Sequence, residues 1–147
     1  MSVQSLANKS LLHRLHRLHR ASQVVSEKYA RKLGDRDLTI RQLVVLSAIA
    51  DAGNPSQTNI VAATGVDRST LADIVKRLLM RGYLTRRRSK LDARAYAVKL
   101  TDEGRSALMS AAPVLHRVES EILTSIPAKK REELFALLDA IADQYVQ

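Results

Sequence analysis

The residues with chemistry to offer are cations. Between Lys76 and Lys99 the chain carries nine Lys and Arg against a single acid, Asp92, so 24 of its 147 residues hold +8 of a net charge of +9. Guanidinium groups bind phosphate and carboxylate oxygens through paired N–H donors, and ammonium groups bind them as point charges. A domain this basic meets a polyanion, most often nucleic acid. A second basic group lies near the N-terminus. Leu12-His13-Arg14, Leu15-His16-Arg17 and Leu18-His19-Arg20 are three tandem triplets. Histidines three apart turn by about 60° per step on a helix, and neighbouring pairs could share a metal. No carboxylate in the segment completes such a site, and the interleaved arginines repel a cation, so no metal is expected. Lys9, Arg14, Arg17 and Arg20 precede the first acid, Glu27. They could instead meet an anionic effector such as an aromatic carboxylate or an acyl-CoA phosphate, with His16, Arg17, His19 and Arg20 as the candidate residues. The plainer reading is a solvated basic flank beside a leucine stripe.

Other chemistry is missing. With no cysteine, disulfides, thiolate zinc sites, iron–sulfur clusters and thiol redox sensing are excluded. No nucleophile sits in the context of a base, and the five glycines are too widely separated to form a phosphate-binding loop, so neither an enzyme nor a cofactor is expected. Aromatic residues are only 3% of the chain, which argues against stacking platforms for single strands. The longest nearly apolar run, Leu43 to Ala50, is far short of a membrane span. The N-terminus lacks a secretory h-region with a cleavage site, so a cytoplasmic protein without a membrane partner is expected. At 46% apolar residues the chain can build a real core.

The elements that must position these cations are legible. Leu11, Leu15, Leu18, Ser22, Val25, Tyr29 and Leu33 recur on one stripe and predict a long helix over residues 11–33, whose apolar side needs a partner. Thr39 and Gln42 form a capping-box pattern that opens a helix carrying Leu43, Val44, Leu46, Ile49 and Ala50 and ending near Gly53. Ser56 can cap a short helix that Gly65 ends. Asp67 caps a further helix, Arg68 to Arg81, which Gly82 stops. A short helix, a tight glycine turn and a longer helix make a helix-turn-helix signal. In the second helix Leu71, Ile74, Val75, Leu78 and Leu79 fall inward. Ser69, Thr70, Asp73, Lys76 and Arg77 fall outward, with Met80 among them. Tyr83 to Arg88 and Arg94 to Leu100 suit a β-hairpin whose basic tip can enter a minor groove. Asp92 is expected to orient a neighbouring arginine, Arg94 first. Thr101-Asp102-Glu103 opens another helix, in which Pro113 predicts a kink. A last helix after Pro127 carries Leu134, Leu137, Leu138, Ile141 and Tyr145 on one face.

This order resembles the MarR family of winged-helix transcriptional regulators, most strongly over residues 39–104. The family's wing pattern, D-x-R-x-x-x-V-x-L-T-x-x-G, is matched by Asp92, Arg94, Val98, Leu100, Thr101 and Gly104, and the run from Asp67 through Leu84 resembles its recognition helix. The resemblance implies a mainly α fold with a small β-hairpin wing. Residues 1–147 would form a single domain, with residues 39–101 as the DNA-binding lobe and residues 1–38 and 102–147 as a helical dimerisation region. It further implies an obligate homodimer on a palindromic double-stranded operator, usually a repressor, released by a small molecule bound between the two parts. By position, Arg68, Ser69, Thr70, Asp73, Lys76 and Arg77 fall on the recognition helix. Arg86, Arg87, Arg88 and Lys90 become backbone contacts. Asp92 and Arg94 belong to the wing, with Arg94 in the minor groove. A regulator with no effector, or an architectural DNA-binding protein, is the alternative.

Overall fold

The computed structural model describes residues 9–34, 38–88 and 96–145. The fold is mainly helical with one small hairpin. Helix α1 (Lys9–Leu33) leads to α2 (Ile40–Ala52), α3 (Gln57–Thr64) and α4 (Arg68–Met80). Strands β1 (Leu84–Arg88) and β2 (Tyr96–Leu100) follow, then α5 (Asp102–Leu123), a 3₁₀ turn (Ala128–Lys130) and α6 (Arg131–Ala142). The expected caps are in place. Thr39 Oγ1 accepts from Gln42 N at 3.3 Å while Gln42 Oε1 accepts from Thr39 N at 2.9 Å, a complete capping box. Ser56 makes the same reciprocal pair with Asn59, a partner the sequence reading did not name. Gly65 ends α3 in the left-handed region, at φ 66°. Pro113 does not divide α5, which runs unbroken past it with the proline ring exposed.

The core lies in the middle third of the chain. Leu43, Val45, Leu46 and Ile49 of α2 meet Ile60 of α3, Leu71, Val75 and Leu78 of α4, and Leu84, Val98 and Leu100 of the hairpin. Ala111 of α5 and Leu33 of α1 close it from the far side. Within α2 the inward stripe differs by one position from the sequence expectation: Val45 is fully buried and Val44 is 42% exposed. The packing of α2 settles this, because its buried side, Gln42, Leu43, Val45, Leu46 and Ile49, faces the core.

The hairpin is antiparallel, with Leu84 opposite Leu100, Arg86 opposite Val98 and Arg88 opposite Tyr96. Its alternation is imperfect because β2 has a second neighbour. Val98 N donates to Pro55 O at 3.2 Å, and Ser56 bridges Ala97. That segment covers Ala97, whereas Tyr96 stays exposed.

The terminal helices are less covered. α1 and α5 pack on each other. Lys32 Nζ meets Glu121 Oε1 at 3.0 Å, with Lys28 at 3.9 Å from the same carboxylate, and Lys32 holds the Glu121 pKa below its ordinary value. Parts of the stripe of α1 and of the apolar face of α6 stay exposed: Leu15 is 61% exposed, Leu137 58% and Ile141 52%. Among the described residues, no helix is long and apolar enough to cross a membrane, and no group of three metal-ligating side chains comes together.

Candidate nucleic-acid interface

Helix α4 is built to present one side. Asp67 caps it, its Oδ1 accepting from Thr70 N at 2.9 Å. Hydrogen bonds from Thr70 hold the Asp67 carboxyl below its usual pKa. Leu71, Ile74, Val75 and Leu78 are buried against α2 and the hairpin, which fixes the helix in rotation. The side left outward carries Ser69, Asp73, Lys76 and Arg77, all exposed, with Thr70 half-buried at its edge and Arg68 exposed in the first turn. Met80 joins this ridge at 79% exposure. An unpartnered methionine so exposed at the end of a polar ridge adds apolar contact area without a charge.

The wing strand runs beside this ridge. Lys76, Leu79 and Met80 of α4 line one cleft with Leu84, Thr85 and Arg86 of β1. Thr85, Arg86, Arg87 and Arg88 are all exposed. Because side chains alternate along a strand, Arg86 and Arg88 share one face and Arg87 takes the other. Among the described residues, no carboxylate comes within ion-pair distance of Lys76, Arg77 or Arg86 to Arg88. Cations left without acids of their own are free to bind phosphates. Lys90, Asp92 and Arg94 lie outside the described residues, and with them the expected pairing of Asp92 with Arg94.

The junction behind the wing explains the T-x-x-G of the motif. The Thr101 hydroxyl donates to Gly82 O at 2.6 Å and accepts from Gly104 N at 3.0 Å, so one side chain both caps α5 and ties it to the turn after α4. Thr101 N donates to Tyr83 O at 3.1 Å. Gly104 lies directly on that same carbonyl, where a Cβ would collide with the Tyr83 oxygen. Gly82 makes the turn itself at φ 74°, a conformation glycine adopts without steric cost.

A second cleft is lined by none of the residues of α4 or the hairpin. A cleft of about 690 Å³ opens between α1, the end of α5 and α6. Val24, Val25, Leu123, Ile126, Phe135 and Leu138 make it largely apolar, and Arg17 and Arg20 stand on its α1 wall. His16 and His19 are exposed on the same helix and do not line it. Tyr29 does; burial pushes its phenol pKa up and the Glu119 carboxylate adds to the effect, so it is a neutral hydrogen-bonding group. Its spacing alone marks Tyr29 only as a member of the α1 stripe.

This arrangement of helix-turn-helix, flanking basic strand and helical tails defines a winged-helix DNA-binding fold. The MarR family model matches residues 38–96. Transcriptional regulator HosA of Escherichia coli is 33% identical over 102 residues, 69% of this chain and 76% of HosA. Among solved structures, Bordetella bronchiseptica BpsR, whose DNA binding is regulated by 6-hydroxynicotinic acid, superposes with a TM-score of 0.83 at 29% identity, covering 87% of this chain and 91% of BpsR. The repressor CouR bound to a DNA duplex gives 0.77 at 29% identity, covering 85% and 89%. The chain belongs to the MarR family of transcriptional regulators.

Proposed function

We propose that the chain is a homodimeric repressor that reads a palindromic operator and leaves it when a small anionic aromatic ligand binds. The observation that carries the DNA reading is the exposed ridge Ser69, Asp73, Lys76 and Arg77 with the arginines of β1 alongside it. Hydroxyls at the head of a helix and cations along it suit base edges and phosphates in a major groove. In this reading residues 39–101 form the DNA-binding lobe, with Lys90 as a backbone contact, Arg94 as the minor-groove residue of the wing and Asp92 as the acid that orients it. Residues 1–38 and 102–147 form the dimerisation region. The exposed apolar faces of α1 and α6 support it, since a second copy covering Leu15, Leu137 and Ile141 removes them from water. CouR bound to duplex DNA supports the operator partner.

The ligand reading rests on the α1–α5–α6 cleft of the single chain, whose Leu18, Leu134 and Leu138 belong to the apolar faces assigned to the second copy, so that in the proposed dimer the partner borders it. Its volume falls within the range of roughly 300–1,000 Å³ usual for small-molecule sites, and an apolar lining with two arginines fits an aromatic ring bearing a carboxylate. BpsR, regulated by 6-hydroxynicotinic acid, supports that class. Fluorescence anisotropy on a duplex from the gene's own upstream region tests both parts. Operator is expected to bind about 10³-fold or more tighter than a scrambled duplex, with affinity falling steeply as salt rises. Added aromatic acids should release it, and the Arg17→Ala, Arg20→Ala double variant should resist release. Binding that follows neither sequence nor salt would contradict the reading.

A further inference from the structure

A helix seated in a major groove has a phosphate strand on each side, because the groove is only about 12 Å wide. The arginines of β1 reach along one flank of α4, through the cleft shared by Lys76 and Arg86. The opposite flank is formed by the first turn of α2. A cleft of about 930 Å³ there sets Ile40, Arg41 and Val44 across from Asp67, Arg68 and Thr70. A neighbouring cleft sets Thr39 and Gln42 beside Arg77, Met80 and Arg81. The start of α2 therefore runs alongside α4 on the side away from the wing.

Arg41 is exposed on that turn, and among the described residues no carboxylate pairs with it. The backbone that carries it is held firmly. Thr39 and Gln42 close the capping box on either side, and Gln42 is only 6% exposed. Among the described residues Asp67 is the one acid on the cleft, and its Oδ1 accepts from Thr70 N. Val44, one turn on from Arg41 and 42% exposed, gives the same edge an apolar surface for deoxyribose. A lone surface arginine is usually only a solvated charge. Arg41 differs in lying on the flank where a groove-bound α4 requires a phosphate strand.

We infer that Arg41 contacts phosphate on the operator strand across the major groove from the wing, so that α4 is held between two cationic flanks. This rests on the double-stranded DNA reading above. The test is anisotropy on operator and scrambled duplexes from about 50 to 300 mM salt, a range over which phosphate contacts are readily counted. Wild type is compared with Arg41→Gln, Arg41→Lys and, as a control of equal charge loss, Lys129→Gln in the turn before α6. Arg41→Gln should bind both duplexes about 10-fold more weakly at low salt, with the log–log salt slope shallower by about 0.9 and the operator preference unchanged. Arg41→Lys should keep most of the slope, and Lys129→Gln should match wild type. Thermal unfolding should be unaltered, since Arg41 is exposed and pairs with no carboxylate among the described residues. If Arg41→Gln behaves as Lys129→Gln does, or if it changes the operator preference and not the slope, the phosphate role is wrong. If wild type itself shows no salt-dependent duplex binding, the DNA reading fails, and this one with it.

Discussion

Alanine at Gly104 should cost the protein about 3 kcal/mol of stability or more, in the range of core overpacking. The added Cβ would strike the carbonyl oxygen of Tyr83, and that carbonyl cannot easily yield. Tyr83 N donates to Leu78 O at 2.9 Å and Tyr83 O accepts from Thr101 N at 3.1 Å, so both ends of the residue are tied down. Relief requires α5 to lift from the turn after α4, which also breaks the Thr101 bond to Gly82. Against a typical total of roughly 5–15 kcal/mol, a loss of this size lowers Tm by about 6–12 °C for a domain of this length. Urea and thermal unfolding monitored by circular dichroism measure it. An unchanged midpoint would mean that α5 and the hairpin root are not locked together. The result bears on function as well as stability. The junction ties α5 to the turn after α4, the helix proposed to enter the groove, so it is one route by which a shift of α5 reaches that helix.

Neutralising the wing strand should have the largest effect on DNA affinity. Arg86→Gln, Arg87→Gln and Arg88→Gln combined are expected to weaken operator binding by about 10²–10³ at low salt. The fold should be untouched, because all three side chains are exposed and none is ion-paired within the described residues. Three phosphate contacts would lower the salt slope by about 2.7. The strand register argues for less. Arg86 and Arg88 share a face and Arg87 opposes them, so the expected drop is about 1.8, two phosphates' worth. Accordingly Arg87→Gln alone should cost little and Arg86→Gln much more. Equal effects from the single variants would show that the strand is not presented to DNA in this orientation.

Much of this architecture was readable in the residues, for local reasons. Caps and helix ends depend on one or two side chains within a turn, so Thr39 with Gln42, Ser56, Asp67 and Gly65 marked the elements where the structure has them. The inward and outward sides of α4 followed from periodicity alone, because that helix meets a core on one side only. What stayed hidden depends on distant neighbours. Nothing near Ala97 signals that Pro55 and Ser56 will cover it. Gly104 was legible only as a position of the wing pattern, and its reason, the Tyr83 carbonyl against it, lies 21 residues away in sequence. Val44 and Val45 are alike as side chains, and only the packing of α2 chose between them. Arg41 was one cation among nine in residues 1–41. Its interest comes from lying beside α4, which is 27 residues further on at its first position, Arg68. The N-terminal charge was better resolved: of the residues singled out in the Leu-His-Arg repeat, Arg17 and Arg20 reach the cleft and the histidines do not.

In the proposed dimer, two copies present α4 to successive major grooves on one face of a duplex. Hydroxyl-radical footprinting on the upstream region measures that directly. Two symmetric protected patches are expected, with centres about 10–10.5 base pairs apart or a multiple of that spacing. Both should disappear together in the Lys76→Ala, Arg77→Ala double variant. A single patch, unphased protection along the whole duplex, or a footprint that survives loss of Lys76 and Arg77 would contradict it.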